Sequence, residues 1–396
     1  MKSEKIIVSG VGCCLVDLLF NDIDFGSDTI RPYLSLTRGD GGLTPGHLVF
    51  REEFEKNSGS SFSEVLSKIT GGRTHDKINI GGPSIVSLIN TAQLTDSNQC
   101  EVRFYGRGGD DEIGKYLLSS LKKTPVILKD FKLINKETPS TVVLSDPTYE
   151  NGHGERMFIN SIGAAWEYGP GDLDDDFFNS SIVVFGGTAL VPQIHDNMTT
   201  LLKRAKLKGC ITIVNTVFDF RNEKANPSER WPLGESDESY GYIDLLIADQ
   251  VEAFRLSGEN DTEAAVKFFR DKKVSSLIIT NGSKNITAYS DGAFFKATGS
   301  FEMPVSQKVI DEQKIATKGD TTGCGDNFAG GVIASVIAQL HTGIKHPDLP
   351  EACSLGIVAG GFACFYLGGT YFEENPGEKR AKMKPYYDAY REQTKG

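Results

Sequence analysis

The sequence predicts an α/β protein built on a doubly wound, mainly parallel sheet, with helices on both faces and a small β lid. Short apolar runs typical of buried strands alternate with segments of helical periodicity along most of the chain. Two stretches, 22–80 and 138–162, interrupt this alternation and are predicted to leave the main sheet. The 396 residues are 39% hydrophobic, which is enough to bury one large core or two modest ones, and we expect 1–396 to form a single domain.

The predicted elements follow one another in the order expected of such a sheet. Six apolar runs are predicted strands, at 6–8, 102–105, 182–185, 211–214, 245–248 and 277–280. Five segments with apolar residues at helical spacing are predicted helices, at 112–123, 196–208, 262–273, 326–341 and 352–367. This order predicts parallel strands, and ligands of such sheets bind at the carboxyl ends of the strands.

The two interrupting stretches are predicted to form the lid. Segment 22–80 is rich in Gly, Ser, Asp and Thr and shows only short β-like pieces, such as 77–80. Segment 138–162 contains two apolar runs, 141–144 and 156–159, on either side of a polar turn, which predicts a strand pair. A lid of this kind would exclude water from a site and complete it on closure.

Charge and composition exclude several classes of function. The net charge of −11 argues against nucleic acid or an anionic membrane as a partner. No run of about 18 apolar residues is present, and the first residues turn polar too soon for a signal peptide. Seven cysteines without a Cys-x-x-Cys pair indicate free thiols in a reducing compartment, and six histidines show no metal-ligand spacing. We therefore expect a cytoplasmic protein that binds a small molecule.

Segment 319–331 says most about function. It reads Gly-Asp-Thr-Thr-Gly-Cys-Gly-Asp-Asn-Phe-Ala-Gly-Gly and leads into a helix with apolar residues every four positions. Small residues at a helix start leave backbone N–H groups free to hold an anion. Asp326 at the mouth of this site would repel phosphate unless it takes a proton from an attacking hydroxyl. An anion cradle with a base predicts phosphoryl transfer.

Two other nucleotide-binding motifs are incomplete. Gly10 and Gly12 begin a dinucleotide fingerprint, but Leu15 replaces its third glycine, which argues against an NAD-dependent oxidoreductase. Segment 41–46 has the glycine spacing of a P-loop, but His47 follows where Lys-Ser/Thr is needed. A Walker-type kinase or GTPase is therefore not expected.

The motif Asp-Thr-Thr-Gly-Cys-Gly-Asp-Asn-Phe-x-x-Gly resembles the second signature of the PfkB, or ribokinase-like, carbohydrate kinase family. The resemblance implies a ribokinase-like fold and an ATP-dependent kinase in which Asp326 is the catalytic base. It also implies that Gly323, Cys324 and Gly325 form the anion hole for the transferred phosphoryl group. The family usually has alanine at position 324, and either residue provides the same backbone N–H.

Further motifs in the first third of the chain fit this resemblance. Segment 105–114 resembles the family's first signature, which we interpret as fold-defining. Asp17 matches the aspartate that holds substrate hydroxyls in the family, and Gly81 and Gly82 match its diglycine hinge. Val86 stands where the family has an asparagine, so the sugar contact of that asparagine is not expected here.

The resemblance also implies a nucleotide site. Asp249 and Glu252 match the family's Asn-x-x-Glu element, with aspartate in place of asparagine, and Glu252 would organise Mg²⁺ through water. Thr280 and Gly282 match the turn that meets the ATP phosphates. Asn285 replaces a second glycine of that turn, and asparagine tolerates a left-handed backbone better than most residues.

These observations predict an ATP-dependent kinase that phosphorylates a hydroxyl of a small sugar or sugar derivative, with Mg²⁺ as cofactor. The resemblance also allows a monovalent cation as a further cofactor and a homodimer formed through the lid. A nucleoside kinase, acting on adenosine or a similar compound, is the alternative within the family. A non-catalytic ligand-binding protein is a third reading. A ring of polar side chains in the lid pocket would favour the sugar, and an aromatic lining the nucleoside.

Overall fold

The computed structural model describes residues 5–37, 39–152, 154–315 and 319–395. Arg38 and His153, in the two predicted lid segments, lie outside the described residues. The strands are β1 (Ile6–Gly12), β2 (Leu15–Phe20), β3 (Leu48–Phe50), β4 (Lys77–Gly81), β5 (Cys100–Gly109), β6 (Ile127–Ile134), β7 (Ser140–Asp146), β8 (Glu155–Ser161), β9 (Ile182–Gly186), β10 (Ile211–Asn215), β11 (Leu245–Asp249), β12 (Ser276–Thr280), β13 (Ile286–Ser290) and β14 (Gly299–Met303).

The α-helices are α1 (Arg51–Ser58), α2 (Phe62–Thr70), α3 (Pro83–Leu94), α4 (Glu112–Leu121), α5 (Tyr149–Gly152), α6 (Asp175–Phe178), α7 (Pro192–Asp196), α8 (Met198–Leu207), α9 (Phe220–Ala225), α10 (Gln250–Ser257), α11 (Thr262–Asp271), α12 (Gln307–Gln313), α13 (Cys324–His341), α14 (Leu349–Ala363) and α15 (Glu378–Gln393). Each of the five predicted helices is present, with its ends shifted by a few residues. Among the residues described, no helix is long and apolar enough to cross a membrane.

The large sheet has the strand order β14-β13-β12-β11-β10-β9-β1-β5-β6. The seven strands from β12 to β6 run parallel, whereas β13 and β14 add an antiparallel edge. One apolar core joins this sheet to α3, α13 and α14, and a second lies on the opposite face, against α8 and α11. The doubly wound α/β fold and all six predicted strands are thereby confirmed. Strands β6, β13 and β14 lie at or next to the sheet edges, and they were not predicted because they mix polar with apolar residues.

A separate small sheet has the order β3-β8-β7-β2-β4. Strands β7 and β8 pair antiparallel, which confirms the predicted strand pair of segment 138–162. One face of the small sheet packs against α1 and α2 through an apolar cluster that includes Phe20, Phe54, Val65 and Leu144. We call this its outer face. The expectation that segment 22–80 holds only short β pieces was wrong, because α1, with Phe54 as its one buried residue, is too polar to show helical periodicity.

Glycines hold α13 close to its two neighbouring helices. A Cβ on Gly330 would lie 2.5 Å from the Ser87 carbonyl oxygen of α3, and one on Gly331 would lie 2.7 Å from the Cβ of Ala359 in α14. The helix ends before Gly343, which has a left-handed φ of 86°, so the predicted stop is confirmed. Because α13 packs closely against both α3 and α14, the position of its first turn is set by the core of the protein.

Candidate active site

The loop before α13 is shaped to receive an anion. Gly323 caps the helix with a φ of 73°, and a Cβ there would collide with the Cα of Gly369. The carboxylate of Asp320 accepts a hydrogen bond of 2.8 Å from the Thr322 amide, which ties the loop down. We call residues 319–325 the anion loop.

The backbone amides in the first turn of α13 differ in whether they have a hydrogen-bond acceptor. The Cys324 N–H donates a hydrogen bond to the Thr321 carbonyl oxygen at 3.3 Å. In the part of the chain that the structure describes, the N–H groups of Gly325 and Asp326 have no intramolecular acceptor. These two amides therefore remain available to an anion at the helix N-terminus.

The side chain of Asn327 holds the anion loop in place through hydrogen bonds. Its side-chain nitrogen donates to the carbonyl oxygens of Gly323 and Gly369, each at 2.8 Å. Its side-chain oxygen accepts from the Lys379 ammonium at 2.7 Å and from the Tyr366 hydroxyl at 3.1 Å. Lys379 is buried, and this burial lowers its pKa to about 7. Sequence reasoning missed Lys379, because the lysine-rich sequence of α15 gives no sign of which lysine is buried.

Asp326 and Asp17 lie within electrostatic reach of each other. Both carboxylates are partly buried, and burial raises the pKa of Asp326 to about 7. The pKa of Asp17 is also raised to about 7, by burial and then by the charges of Asp326 and Asp320, whereas the nearby Arg156 opposes this rise. The structure therefore brings together two residues that lie 309 positions apart in the sequence.

Asp17 belongs to a row of polar side chains on the inner face of the small sheet. In neighbouring strands it is opposite Asn79 of β4 and Thr141 of β7, and Thr141 is opposite Asn160 of β8. Directly opposed residues project from the same face of a sheet. The Asn160 amide nitrogen donates to the Thr141 hydroxyl at 2.9 Å, which leaves the buried Asn160 oxygen without a partner among the described residues. We call Asn79, Asp17, Thr141 and Asn160 the polar row.

The diglycine gives Asp17 the space it needs. A Cβ on Gly81 would collide with the Asp17 carboxylate, and Gly82 begins α3 with a φ of 105°. Val86 is 1% exposed and packs against Gly369, where a Cβ would lie 3.2 Å from it. Val86 is thus a core residue.

Arg156 joins the small sheet to the anion loop. It lies on the same face of β8 as Asn160, and its guanidinium donates to the Thr322 hydroxyl at 2.7 Å. The sequence predicted only a strand at this position. A basic group between the polar row and the anion loop can stabilise negative charge on a bound phosphate.

Asp249 and Glu252 form a capping box at the start of α10. The Asp249 carboxylate accepts from the Glu252 amide at 2.8 Å, and the Glu252 carboxylate accepts from the Asp249 amide at 3.1 Å. The Thr216 hydroxyl also donates to Glu252, at 2.5 Å. Burial, followed by the charges of Asp249 and Asp326, raises the pKa of Glu252 to about 8. Glu252 thus lies within electrostatic reach of Asp326.

Thr280 and Gly282 lie in the turn between β12 and β13. Thr280 is opposite Asp249 in the parallel ladder, so both are at the carboxyl edge of the large sheet. Gly282 is exposed, with a left-handed φ of 55°. Asn285 does not have a positive φ, so the left-handed backbone considered for it is absent; its amide instead donates to Glu302 at 3.2 Å.

The described residues contain no preformed cluster of three or more metal-ligating side chains. They do contain carboxylates close enough to act on each other: besides burial, the charges of Asp326 and Asp320 raise the pKa of Asp17, and those of Asp249 and Asp326 raise the pKa of Glu252. Carboxylate oxygens suit Mg²⁺, and a divalent cation would relieve this repulsion. The donor chemistry therefore fits Mg²⁺.

Comparison with known sequences shows what the chain is similar to. A family model described as "pfkB family carbohydrate kinase" matches residues 74–376. The probable fructokinase-4 of Arabidopsis thaliana is 26% identical over 247 residues, which span 59% of this chain and 67% of that protein. The ribokinase of Schizosaccharomyces pombe is 26% identical over 265 residues, or 65% of this chain and 73% of that protein.

Solved structures share the fold at lower identity. An adenosine kinase from Schistosoma mansoni in complex with 2-fluoroadenosine superposes with a TM-score of 0.68 at 18% identity, over 92% of this chain and 97% of that one. The ribokinase of Arabidopsis thaliana, complexed with ribose and ATP, gives a TM-score of 0.63 at 16% identity, over 97% and 99% of the two chains. At such identities the likeness shows the fold alone.

Proposed function

The chain belongs to the pfkB family of carbohydrate kinases, and within that family we propose that it transfers the γ-phosphoryl group of ATP to a hydroxyl of a small sugar or sugar derivative. Its relatives include fructokinases and a ribokinase, so it is a sugar or nucleoside kinase that acts on a small molecule. The observation that carries our proposal is the position of Asp326, which lies in the first turn of α13 and within electrostatic reach of Asp17 in the polar row.

We assign Asp326 the role of general base. A carboxylate with a pKa of about 7 can accept a proton from a substrate hydroxyl at neutral pH. The amides of Gly323, Cys324 and Gly325 form the anion hole in our proposal, and the free amide of Asp326 extends it. Preorganised donors of this type contribute about 3 kcal/mol each to the stabilisation of a transition state.

The polar row supports a sugar over a nucleoside. Asn79, Asp17, Thr141 and Asn160 offer carboxylate, amide and hydroxyl groups across four adjacent strands, and adjacent hydroxyls of a sugar can pair with such a set. The unpartnered Asn160 oxygen is an acceptor that a hydroxyl donor would satisfy. A nucleoside remains the second candidate, because Phe158 lies on the same face of β8 and provides an aromatic surface.

Our proposal puts the nucleotide at the carboxyl edge of the large sheet. We propose that Thr280 and Gly282 contact the ATP phosphates and that Asp249 and Glu252 hold Mg²⁺, with Glu252 acting through water. When bound, Mg²⁺ neutralises charge on the phosphate oxygens. A monovalent cation is a further candidate cofactor, and comparing turnover in potassium and sodium salts would test it.

The small sheet is proposed to act as the lid, and Arg156 is its contact with the anion loop. Because α1 and α2 cover its outer face, a homodimer through the lid would have to use the edge strands β3 or β4. Sedimentation at several protein concentrations would test this assembly. The seven free thiols support the expected cytoplasmic location.

The decisive experiment is an ADP-release assay with a panel of acceptors that includes hexoses, pentoses, sugar acids, inositols and adenosine. We expect a polyhydroxylated sugar or sugar acid to give the highest kcat/KM. If adenosine gave the highest value, the nucleoside alternative would replace our proposal. If no acceptor raised ADP release above that of the Asp326→Asn variant, the chain would be a ligand-binding protein.

A further inference from the structure

Two thiols lie side by side at the anion loop. The sulfur atoms of Cys324 and Cys364 are 3.4 Å apart. Both residues are partly exposed, whereas the other five cysteines are buried: Cys13, Cys14, Cys100, Cys210 and Cys353. The two partly exposed cysteines are therefore also the two whose sulfur atoms lie next to each other.

This thiol pair bridges two elements that meet at the candidate active site. Cys324 is the first residue of α13 and lies inside the anion loop, and Cys364 caps the carboxyl end of α14. The two helices are in close contact here, since a Cβ on Gly360 of α14 would lie 2.9 Å from the Cys324 carbonyl oxygen. A covalent bond between the sulfurs would tie the anion loop to the end of α14.

We propose that Cys324 and Cys364 form a reversible disulfide when the protein meets a small-molecule disulfide such as oxidised glutathione, and that this bond inactivates the kinase. A disulfide bond measures about 2.0 Å between sulfurs, so the two atoms need to approach each other by about 1.4 Å.

The chemistry is two thiol–disulfide exchanges. The two sulfurs share a hydrogen bond, which lowers the pKa of Cys364 and raises that of Cys324, and this favours Cys364 as the attacking thiolate. Its sulfur bonds to one sulfur of the small disulfide, whose S–S bond breaks and releases one glutathione thiolate. The Cys324 thiol then loses its proton and attacks Cys364, which releases the second glutathione. The two cysteines together lose two electrons, which reduce the small disulfide to two thiols.

Loss of activity follows from the place of Cys324 in the anion loop. Closure of the bond draws the start of α13 toward α14, two residues before Asp326. A displacement of about 1 Å at a reacting group can lower a rate by about 100-fold. The effect on turnover rests on the proposed function, whereas formation of the disulfide does not.

The test incubates the folded protein with oxidised glutathione and measures two quantities. Mass spectrometry of the digested protein should find the Cys324 and Cys364 peptides joined, and kcat should fall at least about tenfold and recover with a dithiol reductant. The Cys364→Ala variant should keep most of its activity under the same treatment. Cys210→Ala, which removes a buried thiol bonded to the Phe178 carbonyl oxygen, should be inactivated like the unmodified protein.

The two readouts separate this inference from the proposed function. Absence of the joined peptides would overturn the disulfide, even in a preparation that shows no kinase activity with any acceptor. Joined peptides with unchanged kcat would overturn the inactivation. Equal inactivation of Cys364→Ala would also overturn it, because another site would then be responsible.

Discussion

The anion loop and the polar row differ in how their residues are distributed along the sequence. The anion loop is one continuous segment, 319–325, and the proposed base, Asp326, follows it directly. The polar row takes one residue from each of four strands, and strand pairing alone brings those residues together. The proposed site for phosphate chemistry is thus encoded locally, whereas the proposed site for substrate recognition depends on the register of the small sheet. Such a division lets the acceptor change while the phosphate chemistry is retained.

The largest effect is expected from Asp326→Asn, which tests the loop half of the comparison. Loss of a general base lowers kcat by about 100- to 10,000-fold. The Kd for ATP should stay nearly unchanged, because the amides of the anion loop remain. Steady-state kinetics and calorimetric titration with ATP would measure both. Near-normal kcat on the best acceptor would show that Asp326 is not the base.

The sequence predicted these two regions unequally, for a physical reason. The anion loop was recognised because its glycines, threonines and aspartates are contiguous. Asn79, Thr141 and Asn160 were missed, because strand periodicity shows that residues alternate between faces but does not show which strands pair or in what register. Lys379 was missed because burial of a charged residue depends on tertiary packing, which the exposed lysines around it conceal.

Asp17→Ala tests the small-sheet half of the comparison. A hydrogen bond to a charged group contributes about 1.5–3 kcal/mol, so KM for the acceptor should rise by about 10- to 150-fold. KM for ATP should change little, because Asp17 lies on the small sheet, away from the proposed nucleotide site. Ser145→Ala, on the same face of β7 but outside the polar row, is the matched control. An equal rise in KM for both variants would contradict specific recognition by the polar row.

The raised pKa of Asp326 predicts a pH-dependent difference in stability. A carboxyl group with a pKa of about 7 in the folded state and about 4 in the unfolded state favours folding below pH 4. That contribution is lost as the pH rises through 7. Asparagine does not titrate, so Tm of Asp326→Asn relative to the unmodified protein should increase between pH 5 and pH 8. Melting curves in the absence of ligands would measure it, and a constant difference would contradict the raised pKa.

The smallest effect is expected from Lys379→Met, which tests whether the anion loop needs the hydrogen bond from Lys379 to Asn327. Methionine keeps the length of the side chain but removes the donor to Asn327, which holds the Gly323 and Gly369 carbonyl oxygens. A less ordered loop should lower kcat by about tenfold, with KM for the acceptor nearly unchanged. Lys382→Met is the control, because Lys382 lies on the same helix, is 55% exposed and bonds to Glu378. Equal kcat values for the two variants would show that the anion loop orders itself without Lys379.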